Sequence, residues 1–281
     1  MPADSAKQRT VSSITLPGLI SPHDLASDRQ FAMTLARGLE VLRAFTAANP
    51  VLSNREIADR TGLPKPTVSR LTYTLGLLGY MSKDADSQKY RLASGVLALG
   101  HPLLASMKTR QLAKPLMVNI ARQTGCTVNL GVRDRTDIVY VDSVRADGRN
   151  EYLPDIGSTY PLLVSSMGHV LIHGLPRPQK QALLNYLKVQ DKELFALHRQ
   201  GLEADGRLFA EQGYCLSSGA WDRELYAIAV PLRGAPGEPA LSMNGTLYAH
   251  KNARQKLVDE VLPLLKQSAH EIEASHGLRS G

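Results

Sequence analysis

Between Lys65 and Tyr73 the chain spaces side chains that suit contact with a nucleic-acid duplex. Val68, Leu71, Leu75 and Leu78 recur at i, i+3, i+7 and i+10, which predicts the buried stripe of a helix. With that stripe turned inward, Lys65, Thr67, Ser69, Arg70 and Tyr73 face outward. A guanidinium such as Arg70 can fork onto guanine, hydroxyls can take phosphates or bases, and Lys65 can neutralise a phosphate near the helix start. Lys83, Lys89 and Arg91 follow on a predicted hairpin, placed to reach flanking backbone or a minor groove. Other reactive residues are less productively arranged. His169 and His173, four apart on a predicted helix, have the spacing of two metal ligands. No third ligand adjoins them, so a solvated or dimer-facing pair is expected, with no metal or cofactor. Cys126 and Cys215 are expected to be buried structural thiols. Trp221 with Asp222 reads either as a ligand lid or as a surface loop with an aromatic anchor. The chain has no phosphate-binding glycine loop before Lys-Ser/Thr, no Gly-x-Ser-x-Gly elbow, no His-Glu-x-x-His and no cysteine quartet. Catalysis is not expected.

The elements that position these residues follow from local signals. Leu35, Leu39, Leu42 and Phe45 predict one face of a first helix, closed by Asn49-Pro50. Ser53-Asn54-Arg55-Glu56 is a capping box that opens a two-turn helix broken at Thr61-Gly62. A further helix starts near Pro64 or Pro66 and ends at Gly79. Tyr80 to Ser82 and Lys89 to Leu92 flank the polar tip Asp84-Ala85-Asp86-Ser87 as a hairpin. Two short helices, a Gly-containing turn and a hairpin make a winged helix-turn-helix, although the same pattern also serves as a protein-interaction module.

Residues 94–111 predict a linker helix, kinked or stopped at Pro102, and residues 1–30 a mobile arm. The domain plan is therefore arm 1–30, winged helix 31–93, linker 94–111 and a second domain 112–281. That domain mixes a helix through Leu112, Leu116 and Ile120 with strands at 126–132, 138–144, 214–216, 225–232 and 240–248. Helices are predicted near 166–174, 177–188, 203–212 and 252–274, the last with Leu257, Val261 and Leu264 on one face. The class is α+β with a mostly antiparallel sheet.

Composition agrees with such a chain. Its 281 residues allow about two domains, 43% are hydrophobic and 21% charged, and no apolar run approaches the ~18 residues of a membrane span. The polar start has no secretory pattern and the two cysteines no disulfide framework, so a cytoplasmic protein is expected. Residues 1–110 hold 14 Lys/Arg against 8 Asp/Glu, whereas the rest holds 19 against 18. Most of the net +7 thus lies with the predicted winged helix, which implies different partners for the two parts.

Thr34-Leu35-Ala36-Arg37-Gly38-Leu39-Glu40-Val41-Leu42, followed by Ile57-Ala58-Asp59-Arg60-Thr61-Gly62-Leu63-Pro64-Lys65-Pro66-Thr67-Val68-Ser69-Arg70-Leu71, resembles the start of an isocitrate lyase regulator (IclR-type) transcription factor. The likeness continues through Gly79-Tyr80 and Tyr90-Arg91-Leu92 and spans roughly residues 31–275. It implies a GAF-like effector domain, double-stranded operator DNA and a small organic acid as partners, and a homodimer or dimer of dimers. Carried over by position, it implies that Ser166, Met167 and the helix N-terminus meet the ligand, that Tyr152 and Tyr160 line its approach, and that Ser217, Ser242 and Asn244 add polar contacts. Ser166-Met167-Gly168 with Ala229-Val230-Pro231 is similar to the subgroup controlling aromatic-acid catabolism. This sequence departs from the family at Glu224, at Ser217-Ser218-Gly219 and at His169, where the family usually has glycine, an acidic group and Lys or Arg. A non-specific architectural DNA-binding protein is the alternative expectation.

Overall fold

A computed structural model describes residues 16, 18–19, 25, 28–145, 155–218 and 225–278. They fall into two compact units, residues 20–106 and residues 107–281 together with the stretch ending at Leu19.

In the first unit, α1 (Met33–Arg43), α2 (Asn54–Thr61) and α3 (Lys65–Leu77) surround a small core, with β1 (Val51–Leu52), β2 (Met81–Lys83) and β3 (Tyr90–Leu92) in an antiparallel sheet of order β1-β3-β2. Val41, Phe45, Leu52, Ile57, Leu63, Val68 and Met81 are its buried centre. The inward face of α1 matches the predicted one only at Leu42 and Phe45. Val41 and Phe45 are buried and Leu42 packs on the core, whereas Leu35 and Leu39 are 64% and 49% exposed. Val68 is buried and Leu71 and Leu75 pack on the core as expected, but Leu78 is exposed and Thr72 completes the stripe. The Thr72 hydroxyl donates to the Ser69 carbonyl at 3.1 Å, so its burial leaves no donor unpaired. The linker helix α4 (Ser94–Ser106) runs through Pro102 and stops at Ser106, short of the expected residue 111.

The second unit is built on a six-stranded, fully antiparallel sheet of order β6-β5-β4-β9-β8-β7. Its strands are β4 (Thr127–Asp134), β5 (Asp137–Val144), β6 (Thr159–Pro161), β7 (Cys215–Ser218), β8 (Leu225–Leu232) and β9 (Leu241–Tyr248). Helices α5 (Lys108–Thr124) and α10 (Leu262–Ser275) pack on the sheet, the latter continuous with the short α9 (Ala253–Lys256) through a π-turn. Leu257, Val261 and Leu265 are its buried positions, while Leu264 is only half-buried. Helices α6 (Ser166–His173), α7 (Arg177–Gln190) and α8 (Lys192–Gln212) form a second layer. The added Cβ at Gly245 would meet Val261 and Cys126, whereas one at Gly131 would meet Met167. Alternation along β4 and β9 therefore turns Thr127, Asn129, Gly131, Ser242 and Asn244 toward α6, and Cys126 away from it. Cys215 belongs to the α6-side core, so the two buried thiols lie on opposite faces of the sheet. Burial pushes both thiols up.

Leu16 and Leu19 are not part of a free arm. Leu16 is 4% exposed in the α6-side core, and Leu19 packs against it. The Leu19 N–H donates to the Leu16 carbonyl at 3.2 Å, with Gly18 at φ +85. An added Cβ at Gly18 would lie 2.7 Å from Cγ of Arg135.

Helix α5 has no side-chain cap at Met107; the β8–β9 loop supplies one. The Glu238 carboxylate accepts from the Lys108 N–H at 2.6 Å, from the Thr109 N–H at 3.3 Å and from the Thr109 hydroxyl. Partial burial pushes its pKa up, but the Thr109 hydroxyl and the amides of Lys108, Thr109 and Ala235 outweigh that and hold it below the usual carboxylate range. A depressed carboxylate contributes stability above its unfolded pKa and loses it as pH falls through the folded value. Glu238→Gln is expected to cost about 1–2 kcal/mol near neutral pH. Thermal melts of both proteins should converge as the buffer is taken below pH 4. A constant gap across that range would place the charge elsewhere.

Candidate nucleic-acid interface and effector pocket

The Ser53 hydroxyl accepts from the Glu56 N–H at 3.2 Å, and Glu56 accepts the Ser53 N–H at 2.7 Å, closing the capping box that starts α2. Those two bonds, aided by Lys89, take Glu56 down to about 2. Gly62 at φ +69 ends α2 in the left-handed conformation that glycine adopts without strain. Two residues later Pro64 begins α3, with Pro66 in its first turn. This is the geometry of a helix-turn-helix, and it presents Lys65, Ser69, Arg70 and Tyr73 to solvent with Thr67 half-buried. Tyr73 is 69% exposed, and the Arg70 side chain has no hydrogen-bond or ion-pair partner among the described residues.

The wing differs in detail from expectation. Lys89 pairs with Glu56 at 3.5 Å and Arg91 with Asp84 at 3.2 Å, because the strand register lays each cation beside a carboxylate of its own unit. Either must trade an existing partner for a phosphate. Lys83 is the more available cation, exposed and 5.6 Å from the Tyr90 ring centroid. A groove of about 400 Å³ between α3 and the wing is lined by Ser69, Tyr73, Leu77, Met81, Lys83 and Tyr90.

In the second unit, α6 starts from Ser165, whose hydroxyl accepts the Gly168 N–H at 3.1 Å. A Cβ at Gly168 would stand 2.1 Å from the Leu162 carbonyl, so only glycine lets this turn close. Ser166 follows at the first helical position. Its side chain is fully buried, and its Oγ has no hydrogen-bond partner. Met167, also fully buried, reaches Gly131 on β4. On the sheet face toward α6, the Asn129 amide donates to Asn244 Oδ1 at 2.9 Å, and the Ser143 hydroxyl donates to Asn129 Oδ1 at 2.7 Å. Ser166, Met167 and Asn244 thus belong to the layer where α6 covers the sheet.

The other carried-over positions spread out. The Ser242 hydroxyl is buried on that face but spent on the Val230 carbonyl at 3.1 Å. Tyr160 stands on β6, stacked edge-on against Tyr140 with centroids 5.5 Å apart, and half-buried Ser217 stands on β7 at the opposite edge. Tyr152, Trp221, Asp222 and Glu224 lie outside the described residues. Asn129 and Ser143 were missed from the sequence; polar residues at alternate positions of an otherwise apolar β4 were the available signal.

His169 and His173 both bond within the second unit, His169 buried and His173 half-buried. His169 Nδ1 lies 2.6 Å from Asp205 Oδ2 and Nε2 lies 2.9 Å from the Leu163 carbonyl. Burial and the Lys180 ammonium hold His173 near 4, so it is neutral: Nε2–H donates to the Leu202 carbonyl and Nδ1 accepts from Lys180. No group of three His, Cys, Asp or Glu suited to a metal occurs among the described residues.

Residues 101–274 match the family described as bacterial transcriptional regulator IclR C-terminal, and residues 34–85 match the IclR helix-turn-helix domain. The chain belongs to the IclR family. An IclR-family regulator from Brucella abortus, known by crystal structure, is 39% identical and superposes with a TM-score of 0.85 over 93% of this chain and 98% of that one. The Pca regulon regulatory protein of Pseudomonas putida is 27% identical, covering 96% of this chain and 95% of its own. The p-hydroxybenzoate hydroxylase transcriptional activator of Acinetobacter baylyi is 29% identical over 90% and 96%. These relatives are transcriptional regulators, and this IclR chain has both the DNA-reading and the effector-type units of the family. No helix among its described residues is long and apolar enough to cross a membrane.

Proposed function

We propose that this IclR-family protein binds double-stranded operator DNA as a homodimer and changes its DNA affinity when a small organic acid, best an aromatic one, enters the second unit beside α6. Lys65, Thr67, Ser69, Arg70 and Tyr73 would meet the major groove and Lys83, Lys89 and Arg91 the flanking backbone. The observation that carries the ligand reading is Ser166: a fully buried hydroxyl left unpartnered at a helix N-terminus. An unpaired buried hydroxyl costs about 1–3 kcal/mol, which a ligand oxygen recovers. A carboxylate suits this position, because helix amides and the dipole favour negative charge there. Asn129, Asn244 and Ser143 offer amide and hydroxyl groups from the sheet, and the aromatic preference rests on the P. putida and A. baylyi relatives. We assign the site no catalytic step.

Exposed apolar residues favour the dimer. Leu97, Leu99 and Leu103 of α4 are 60–75% exposed, and α4 buries no residue within its own unit. A helix this apolar and this uncovered suits a second copy of the chain. Such a regulator would act in the cytoplasm, where its operator lies.

The test is a footprint with and without benzoate and 4-hydroxybenzoate. A dimer should protect two half-sites about one helical turn apart; a single half-site rejects it. Ser166→Leu is expected to leave the footprint intact and lower carboxylate affinity at least tenfold by calorimetry. Unchanged affinity would remove Ser166 from the pocket.

A further inference from the structure

We propose that Leu16, Gly18 and Leu19 anchor the chain that precedes the DNA-reading unit in the second unit, as a strap, and that the seat of this strap is a wall of the effector pocket. The regulatory half of this inference rests on the ligand reading above. Three features of the chain carry it.

The first is the depth of the anchor. Leu16 is 4% exposed and shares its core with Ile138, Tyr140, Leu162 and Met167, with Tyr160 packed alongside. Burying a leucine side chain contributes about 1.5–3 kcal/mol, enough to favour a seated strap over a free one. The second is a close approach. The turn brings Gly18 against Arg135, itself in the left-handed region at the tip between β4 and β5, with no room for a Cβ before the Arg135 side chain moves.

The third is what the seat shares with the pocket. Met167 follows unpartnered Ser166 directly, and its methyl lies against Gly131, beside Ile138 of the Leu16 core. A ligand that shifts Met167 or Tyr160 therefore disturbs the apolar cluster to which Leu16 belongs. From Leu19 the chain runs on to α1, and from Ser106 it continues into α5, so both ends of the DNA-reading unit are joined to the second unit. By linkage, the factor by which a bound ligand changes strap seating is the factor by which seating changes ligand affinity.

The experiment uses the full chain. Cys126 and Cys215 are fully buried, so a thiol introduced by Leu16→Cys can be followed with an aromatic disulfide reagent. It should react at least tenfold more slowly than Leu35→Cys, whose site is 64% exposed. Equal rates overturn the strap. Saturating 4-hydroxybenzoate, with binding confirmed by calorimetry, should change the Leu16→Cys rate at least threefold; an unchanged rate with bound probe overturns the coupling. Leu16→Asp should shift affinity for a duplex selected by the wild-type protein from a random pool at least threefold without ligand. If no carboxylate binds the protein, the pocket reading fails and this last measurement decides the strap by itself: an unshifted affinity rejects it.

Discussion

Asp205→Ala is expected to destabilise the second unit by about 3–5 kcal/mol, the cost of breaking a buried pair by removing one partner. Asp205 joins three elements. From α8 its Oδ2 meets His169 Nδ1 of α6 at 2.6 Å, and its Oδ1 accepts the Leu216 N–H of β7 at 3.2 Å. Both side chains of the pair are under a tenth exposed. The Leu163 carbonyl can only accept, so His169 Nε2–H donates to it, and Nδ1 faces Asp205. Alanine leaves Nδ1 and the Leu216 amide without partners and opens a void. Urea unfolding followed by circular dichroism should show the midpoint fall. Asp205→Asn, which keeps the volume and an acceptor for Leu216, should lose less. His169→Leu with Asp205→Leu should be milder than Asp205→Ala, since no polar group is then stranded. A loss below about 1 kcal/mol for Asp205→Ala would mean that water reaches the pair. Because α6 also presents Ser166 and Met167, the same variant should weaken any ligand response in proportion to the loosening of the helix.

The DNA-reading unit was legible because its signals are short-range. A capping box, a left-handed glycine and a proline in a first turn each act within four residues, and each stands where Ser53-Glu56, Gly62 and Pro66 placed it. The errors there come from packing. Leu78 fits the helical period, yet the chain turns at Gly79 (φ +77) before that side chain meets a core, and Thr72 takes the inward position one turn earlier. Leu35 and Leu39 fit a face of α1, but packing turns Val41 inward with Leu42 and Phe45 and leaves those two leucines exposed. The pocket was harder. Asn129 and Asn244 lie 115 residues apart, and only strand register makes them neighbours. The first half of α8 was missed because its N-cap, Asp191, follows α7 without an intervening break in the polar pattern. Leu16 fits an arm locally because nothing near it distinguishes an anchored leucine from a free one; the buried core it joins is otherwise made of residues more than a hundred positions on.

Arg70→Ala should weaken binding to the selected duplex by about 1–3 kcal/mol, or roughly 5- to 150-fold, while binding to random duplex changes little. The asymmetry follows from what the side chain can do. Arg70 projects from the exposed face of α3 with no competing partner among the described residues, so its planar fork is available for a guanine O6/N7 edge. Lys89 and Arg91 differ, since each already faces a carboxylate at 3.5 and 3.2 Å. Their replacement by alanine removes an exposed pair, worth little, and a phosphate contact that is sequence-blind. Salt titrations separate the two kinds of contact: Lys83→Ala and Lys89→Ala should each reduce the slope of log affinity against log salt by about one, and Arg70→Ala should leave it nearly unchanged. Parallel losses for Arg70→Ala on selected and random duplexes would assign that guanidinium to phosphate. An equal affinity of the wild-type protein for both duplexes would establish the architectural alternative instead, because a recognition helix that reads base edges must discriminate between them.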